Sequence, residues 1–222
     1  MRRNVTSCSA WRLYVIVDRA TAGARDLSAL LEAALRGGAD AIQLRDKQAS
    51  ATQLLRQAQR LLPLTRSAGV ALLINDRVDI ACAVGADGVH LGQDDLPIRK
   101  ARAILGPGRL IGQSTHSLEQ ALAAQKQGAD YIGFGPLFPT PTKPDARSVG
   151  LEQIAEVTSR VHLPVVCIGG IDAETLPRVV SAGARCIAVV RAVCDAEDPE
   201  AATRTLKRTL TQFVRTASPA SL

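Results

Sequence analysis

Short strand-like runs alternate along the chain with longer stretches rich in Ala, Leu, Arg and Gln. Such runs fall at residues 13–17, 71–74, 109–112 and 164–168. An internal repeat marks four more. Gly38-Ala39-Asp40-Ala41-Ile42-Gln43-Leu44 resembles Gly85-Ala86-Asp87-Gly88-Val89-His90-Leu91. The pattern returns at Gly128-Ala129-Asp130-Tyr131-Ile132-Gly133-Phe134, and more loosely at Gly183-Ala184-Arg185-Cys186-Ile187-Ala188-Val189. Copies begin 47, 43 and 55 residues apart. One βα unit takes roughly 25–30 residues, so each interval holds two units. The glycine opening each copy follows a helical stretch and acts as its stop signal.

Eight strands alternating with helices predict an α/β fold: a single-domain (βα)8 TIM barrel over residues 13–215. Residues 1–12 read as an N-terminal extension and 216–222 as a frayed tail. An open doubly wound sheet is the alternative. Its glycine-rich loop is missing after the first strand, where Val17-Asp18-Arg19-Ala20-Thr21 stands instead.

Length and composition agree with one barrel. The 222 residues are 46% hydrophobic but only 3% aromatic, so the core is aliphatic. That suits parallel strands buried on both faces. The formal charge of +6 raises the question of nucleic acid. No basic run is interleaved with aromatics, so small anionic molecules are the expected partners instead. The five cysteines are scattered without a CxxC pair, which points to a reducing compartment and to neither disulfides nor structural zinc. No apolar run has signal-peptide or membrane-span length, giving a cytoplasmic expectation with no membrane partner. Oligomeric state is left open.

Candidate chemistry collects where predicted strands end. Gln43-Leu44-Arg45-Asp46-Lys47 closes the second, and alternation points Gln43, Arg45 and Lys47 one way. An Arg fork with a Lys point charge suits a diphosphate. Asn75-Asp76 follows the third strand and Asp94-Asp95 the fourth. Each acid has a plain role open to it as a helix cap. Carboxylates on neighbouring strand ends can instead share Mg²⁺. Gly112-Gln113-Ser114-Thr115-His116 follows the fifth; Ser114 reads as a ligand hydrogen bond, since no acid or oxyanion loop completes a triad. Residues 135–144 carry four prolines, two hydroxyls and Lys143, a shaped loop able to cover a ligand. Gly169-Gly170 follows the seventh strand and Val189-Val190-Arg191 ends the eighth, where this fold usually binds phosphate. His90, His116 and His162 show no ligand spacing and receive no role.

The order and spacing of these motifs, over about residues 13–192, resemble the thiamine-phosphate synthase family. The resemblance implies a transferase that joins 4-amino-2-methyl-5-hydroxymethylpyrimidine diphosphate to hydroxyethylthiazole phosphate, giving thiamine phosphate and pyrophosphate. It also implies site roles. Gln43, Arg45, Lys47, Asn75, Ser114 and Lys143 would bind the pyrimidine diphosphate, with Arg45, Lys47, Ser114 and Lys143 catalytic. Asp76 and Asp95 would hold Mg²⁺, and Thr140, Thr142, Gly170, Val190 and Arg191 would line the thiazole phosphate site. Family members often carry a small Ser at the place of Arg191. Two alternatives remain on the same fold: a thiazole tautomerase of the sister family, and a non-catalytic phosphate-ligand sensor.

Overall fold

A computed structural model of the chain describes residues 7–141 and 147–216, the last three by backbone alone. Thr142 and Lys143, and the expectations for residues 1–6 and 217–222, lie outside the described residues. After a 3₁₀ turn at Cys8–Ala10, the chain runs β1 (Leu13–Asp18), α1 (Arg19–Ala22), α2 (Leu27–Arg36), β2 (Ala41–Arg45), α3 (Ala51–Ala68) and β3 (Ala71–Asn75). It continues with α4 (Val78–Val84), β4 (Gly88–Leu91), α5 (Ile98–Leu105), β5 (Leu110–Thr115), α6 (Leu118–Gln127) and β6 (Tyr131–Phe134). The last part is α7 (Gln153–Arg160), β7 (Val165–Ile168), α8 (Leu176–Ser181), β8 (Cys186–Val189), α9 (Arg191–Cys194) and α10 (Pro199–Thr216). The strands form one closed parallel barrel in chain order, β8 returning to pair with β1. The doubly wound alternative is excluded.

Strand alternation divides the core in two. Val15, Val17, Ile42, Leu44, Leu72, Ile74, Ile111, Ile132 and Ile187 belong to one cluster with the apolar faces of the helices. Each such burial contributes about 1.5–3 kcal/mol. The alternate positions Tyr14, Ile16, Ala41, Ala71, Leu73, Tyr131, Val166, Cys186 and Ala188 form a second cluster inside the barrel, with Trp11. Trp11 is 1% exposed and packs edge-on against Tyr14 and Tyr131. Part of the expected N-terminal extension is therefore core.

Helix boundaries follow local chemistry. Ser50 and Gln53 form a reciprocal capping box on α3, and Ser117 caps α6. Gly69, Gly85 and Gly128 end α3, α4 and α6 in left-handed conformation. Cys167 and Cys186 are buried strand residues, and burial pushes the Cys167 thiol up to about 12.

Candidate active site

A cavity of about 500 Å³ opens at the C-terminal ends of the strands and reaches down to Tyr14 and Tyr131. Eight of the site residues expected from sequence line it: Gln43, Arg45, Asn75, Ser114, Thr140, Gly170, Val190 and Arg191; Lys47, Asp76 and Asp95 are not among its lining residues, although Asp76 directly follows Asn75 and pairs with Lys47. Gln43 and Arg45 share the inward face of β2. Gln43 is 2% exposed and donates from Nε2 to the Tyr14 hydroxyl, 2.8 Å away. The Arg45 guanidinium is paired with Asp18, whose side chain is 2% exposed. The same carboxylate accepts from Thr21 N and Oγ1, capping α1. Asp18 thus holds a cation in place at the cavity wall.

The acidic pair assembles across β3 and β4. Asp76 has φ 60° and its N–H donates to His90 O at 2.8 Å. The N-cap of α4 is Arg77 and that of α5 is Pro97, neither with a side-chain capping bond. The capping role open to Asp76 and Asp95 therefore does not apply. Asp95 accepts from Gly92 N at 2.6 Å and also contacts Asp76. Burial raises the Asp95 pKa, the Gly92 N–H opposes this, and the Asp76 carboxylate raises it further. Lys47 Nζ lies 2.9 Å from Asp76 Oδ2. Asp94 is exposed.

Among the described residues no three His, Cys, Asp or Glu side chains gather as a metal cage. Two crowded carboxylates, one of them resisting ionisation, still fit a cation that takes its other ligands from water and phosphate.

The opposite wall is backbone. Leu137 N and Phe138 N donate to Ile168 O and Gly169 O, pinning the proline loop to the end of β7. Gly170 has φ 63°, and a Cβ there would lie 2.7 Å from Phe138 Cβ, so glycine is required. Arg191 is the first residue of α9 rather than the end of β8. Its guanidinium pairs with Asp195 at 2.7 Å.

Comparison with known proteins adds what geometry does not. The family model described as thiamine monophosphate synthase matches residues 13–193. The chain belongs to the thiamine monophosphate synthase family. A thiamine-phosphate synthase of Roseiflexus sp. (strain RS-1) is 53% identical over 195 residues, 87% of this chain and 83% of the relative. One from Chloroflexus aurantiacus is 49% identical over 198 residues, 89% of this chain and 91% of the relative. The solved thiamine phosphate pyrophosphorylase of Pyrococcus furiosus superposes with a TM-score of 0.86 at 42% identity, covering 93% of this chain and 98% of that one. Neither the tautomerase nor the sensor alternative finds support among these relatives.

Within this member of the synthase family, several lining residues escaped sequence reading. Ser114 and His116 do not form a pair: His116 Nδ1 meets Gly135 O, while Ser114 Oγ lies 3.0 Å from His90 Nε2. Tyr14, Tyr131 and His90, given no role from sequence, line the cavity floor with Ile16, Val166 and Ala188. A usable signal existed. Tyr14 and Tyr131 are the chain's only tyrosines, and Tyr14 and Asp18 share parity with Ile16 along β1.

Proposed function

We propose that this synthase-family chain joins 4-amino-2-methyl-5-hydroxymethylpyrimidine diphosphate to hydroxyethylthiazole phosphate, releasing pyrophosphate. The observation that carries the reading is a deep cavity of about 500 Å³ lined by Gln43, Arg45, Asn75 and Ser114, with the Lys47–Asp76–Asp95 group starting at the residue after Asn75. That volume lies in the range of small-molecule sites. Its apolar wall of Ile16, Val166, Ile168 and Ala188 suits two flat rings.

The C–O bond to diphosphate breaks with its electron pair going to the leaving group. The electron-rich aminopyrimidine spreads the resulting positive charge. The lone pair of the thiazole nitrogen then forms the C–N bond, and no base is needed to activate it. Arg45 and Lys47 oppose negative charge as it grows on the diphosphate, so their interaction strengthens toward the transition state. Lys143 takes the same role from the proline loop, and Ser114 donates to the diphosphate. Asp76 and Asp95 would hold Mg²⁺, which when bound would supply further positive charge to the leaving group. Thr140, Thr142, Gly170, Val190 and Arg191 receive the thiazole phosphate. The enclosed cavity holds the rings together and keeps water from the cation.

The test supplies purified protein with pyrimidine diphosphate, thiazole phosphate and Mg²⁺, and follows pyrophosphate and thiamine phosphate in parallel. Equal amounts of both, requiring all three additions, are expected. Thiazole phosphate binding without thiamine phosphate formation would overturn the reading.

A further inference from the structure

One hydrogen-bonded chain crosses the cavity floor from β2 to β5. Gln43 Nε2 donates to the Tyr14 hydroxyl at 2.8 Å, and the Tyr14 and Tyr131 hydroxyls lie 3.1 Å apart. The Tyr131 hydroxyl lies 2.9 Å from His90 Nδ1, and His90 Nε2 lies 3.0 Å from Ser114 Oγ. Five residues from β1, β2, β4, β5 and β6 are thereby linked.

Starting from the Gln43 amide donor, one assignment of hydrogens runs unbroken to Ser114. Each phenol owns a single hydrogen. Tyr14 is 1% exposed and Tyr131 0%, so each phenol hydrogen is drawn mainly to its protein partners. Tyr14 accepts from Gln43, and its own hydrogen goes on to Tyr131. In this assignment Tyr131 accepts from Tyr14 and donates to His90 Nδ1. A neutral imidazole that accepts at Nδ1 carries its hydrogen on Nε2, which points at Ser114 Oγ. Ser114 is left with its own hydrogen for the cavity that it lines.

Space for this chain is built into the strands. A Cβ on Gly112 would lie 2.1 Å from Tyr131 Cζ and 2.5 Å from His90 Nδ1. A Cβ on Gly133 would lie 3.2 Å from His90 Cε1. Below, Trp11 closes edge-on over both phenol rings. Burial raises the pKa of both tyrosines, so they remain neutral donors.

We propose that Tyr14 and Tyr131 are positioning residues that fix the His90 tautomer and thereby make Ser114 a hydrogen-bond donor toward the diphosphate. The tautomer sets the sign of that contact. With hydrogen on Nε2, Ser114 accepts from His90 and donates to the anion. With hydrogen on Nδ1, Ser114 would donate back to His90 and present lone pairs to the anion. The polarity is the reverse of a Ser–His nucleophile pair, in which the imidazole accepts the serine hydrogen. Linked bonds also polarise one another, so the final donor is strengthened by those behind it.

The inference rests on the synthase reading for its effect on turnover, but the tautomer can be read without turnover. Nitrogen-15 NMR of imidazole-labelled protein, with the His90 signals assigned by loss in His90→Asn, is expected to show His90 with hydrogen on Nε2. Tyr131→Phe keeps the ring that packs on Trp11 and removes only the hydroxyl. It is expected to mix the tautomers and lower kcat about tenfold, the scale of one hydrogen bond to a charged group. Tyr14→Phe leaves the Tyr131 donor in place and should fall by less. Tyr131→Phe combined with Ser114→Ala should be no slower than Ser114→Ala alone. Hydrogen on Nδ1 in the unaltered protein, or additive losses in the double variant, would overturn the proposal. Failure of the unaltered protein to make thiamine phosphate would instead overturn the synthase reading, with the tautomer still measurable.

Discussion

Asp76 shows how much one residue's backbone can decide. Its φ of 60° is left-handed, a region that Asp tolerates better than most residues. The turn begins as β3 ends, and the carboxylate meets both Lys47 and Asp95. Non-glycine residues persist in such conformations where the surroundings hold them, often at working sites. Asp76→Asn keeps the shape and removes one charge. It should lower turnover by on the order of a hundredfold or more and move the Mg²⁺ titration to higher concentration, as expected when a charge is removed beside a metal and its developing anion. Near-normal turnover at ordinary Mg²⁺ would refute the metal role proposed for Asp76. Sequence located Asp76 and Asp95 because each follows an apolar run. The φ at Asp76 was hidden, since nothing about Asn-Asp-Arg requires it.

Between elements, Asp18 ties β1 to α1 through Thr21 and to β2 through Arg45. From sequence Asp18 only interrupts an apolar run; in the barrel it is the last residue of β1 and 1% exposed. Asp18→Asn keeps an acceptor for the cap but leaves Arg45 without its counter-charge. Removing one partner of a buried pair costs about 3–5 kcal/mol. Urea unfolding should show a lower midpoint on that scale, reduced by whatever water reaches Arg45. An unchanged midpoint would mean that the guanidinium is stabilised elsewhere.

Strand positions were largely readable, because each parallel strand needs an apolar outer face. The apolar run at 109–112 predicts a strand ending at Gly112, whereas β5 continues three residues further to Thr115. Its last residues are Gln113, Ser114 and Thr115, and polar residues serving the site conceal the strand that carries them.

At the scale of the whole molecule, the barrel has an open end at the cavity and a closed end at Trp11. The closing ring comes from outside the strands and lies against Tyr14 and Tyr131. Trp11→Ala should destabilise the fold by about 3–5 kcal/mol, measured by urea unfolding. A loss below about 1 kcal/mol would mean that neighbouring chain fills the gap. The link between Tyr14 and Tyr131 was beyond sequence reading for a geometric reason. They stand 117 residues apart and touch only because closure brings the two sides of the barrel floor together.

The division of each strand into an outer and an inner face also limits how this chain can change. Leu44 belongs to the coat under the helices, while Gln43 and Arg45 belong to the cavity. Deleting one residue within β2 would turn Leu44 toward the cavity and press an arginine into the coat. Core and catalysis share one reading frame along every strand. Loops past the strand ends can lengthen or shorten freely, whereas the strands tolerate exchange of residues but not slippage.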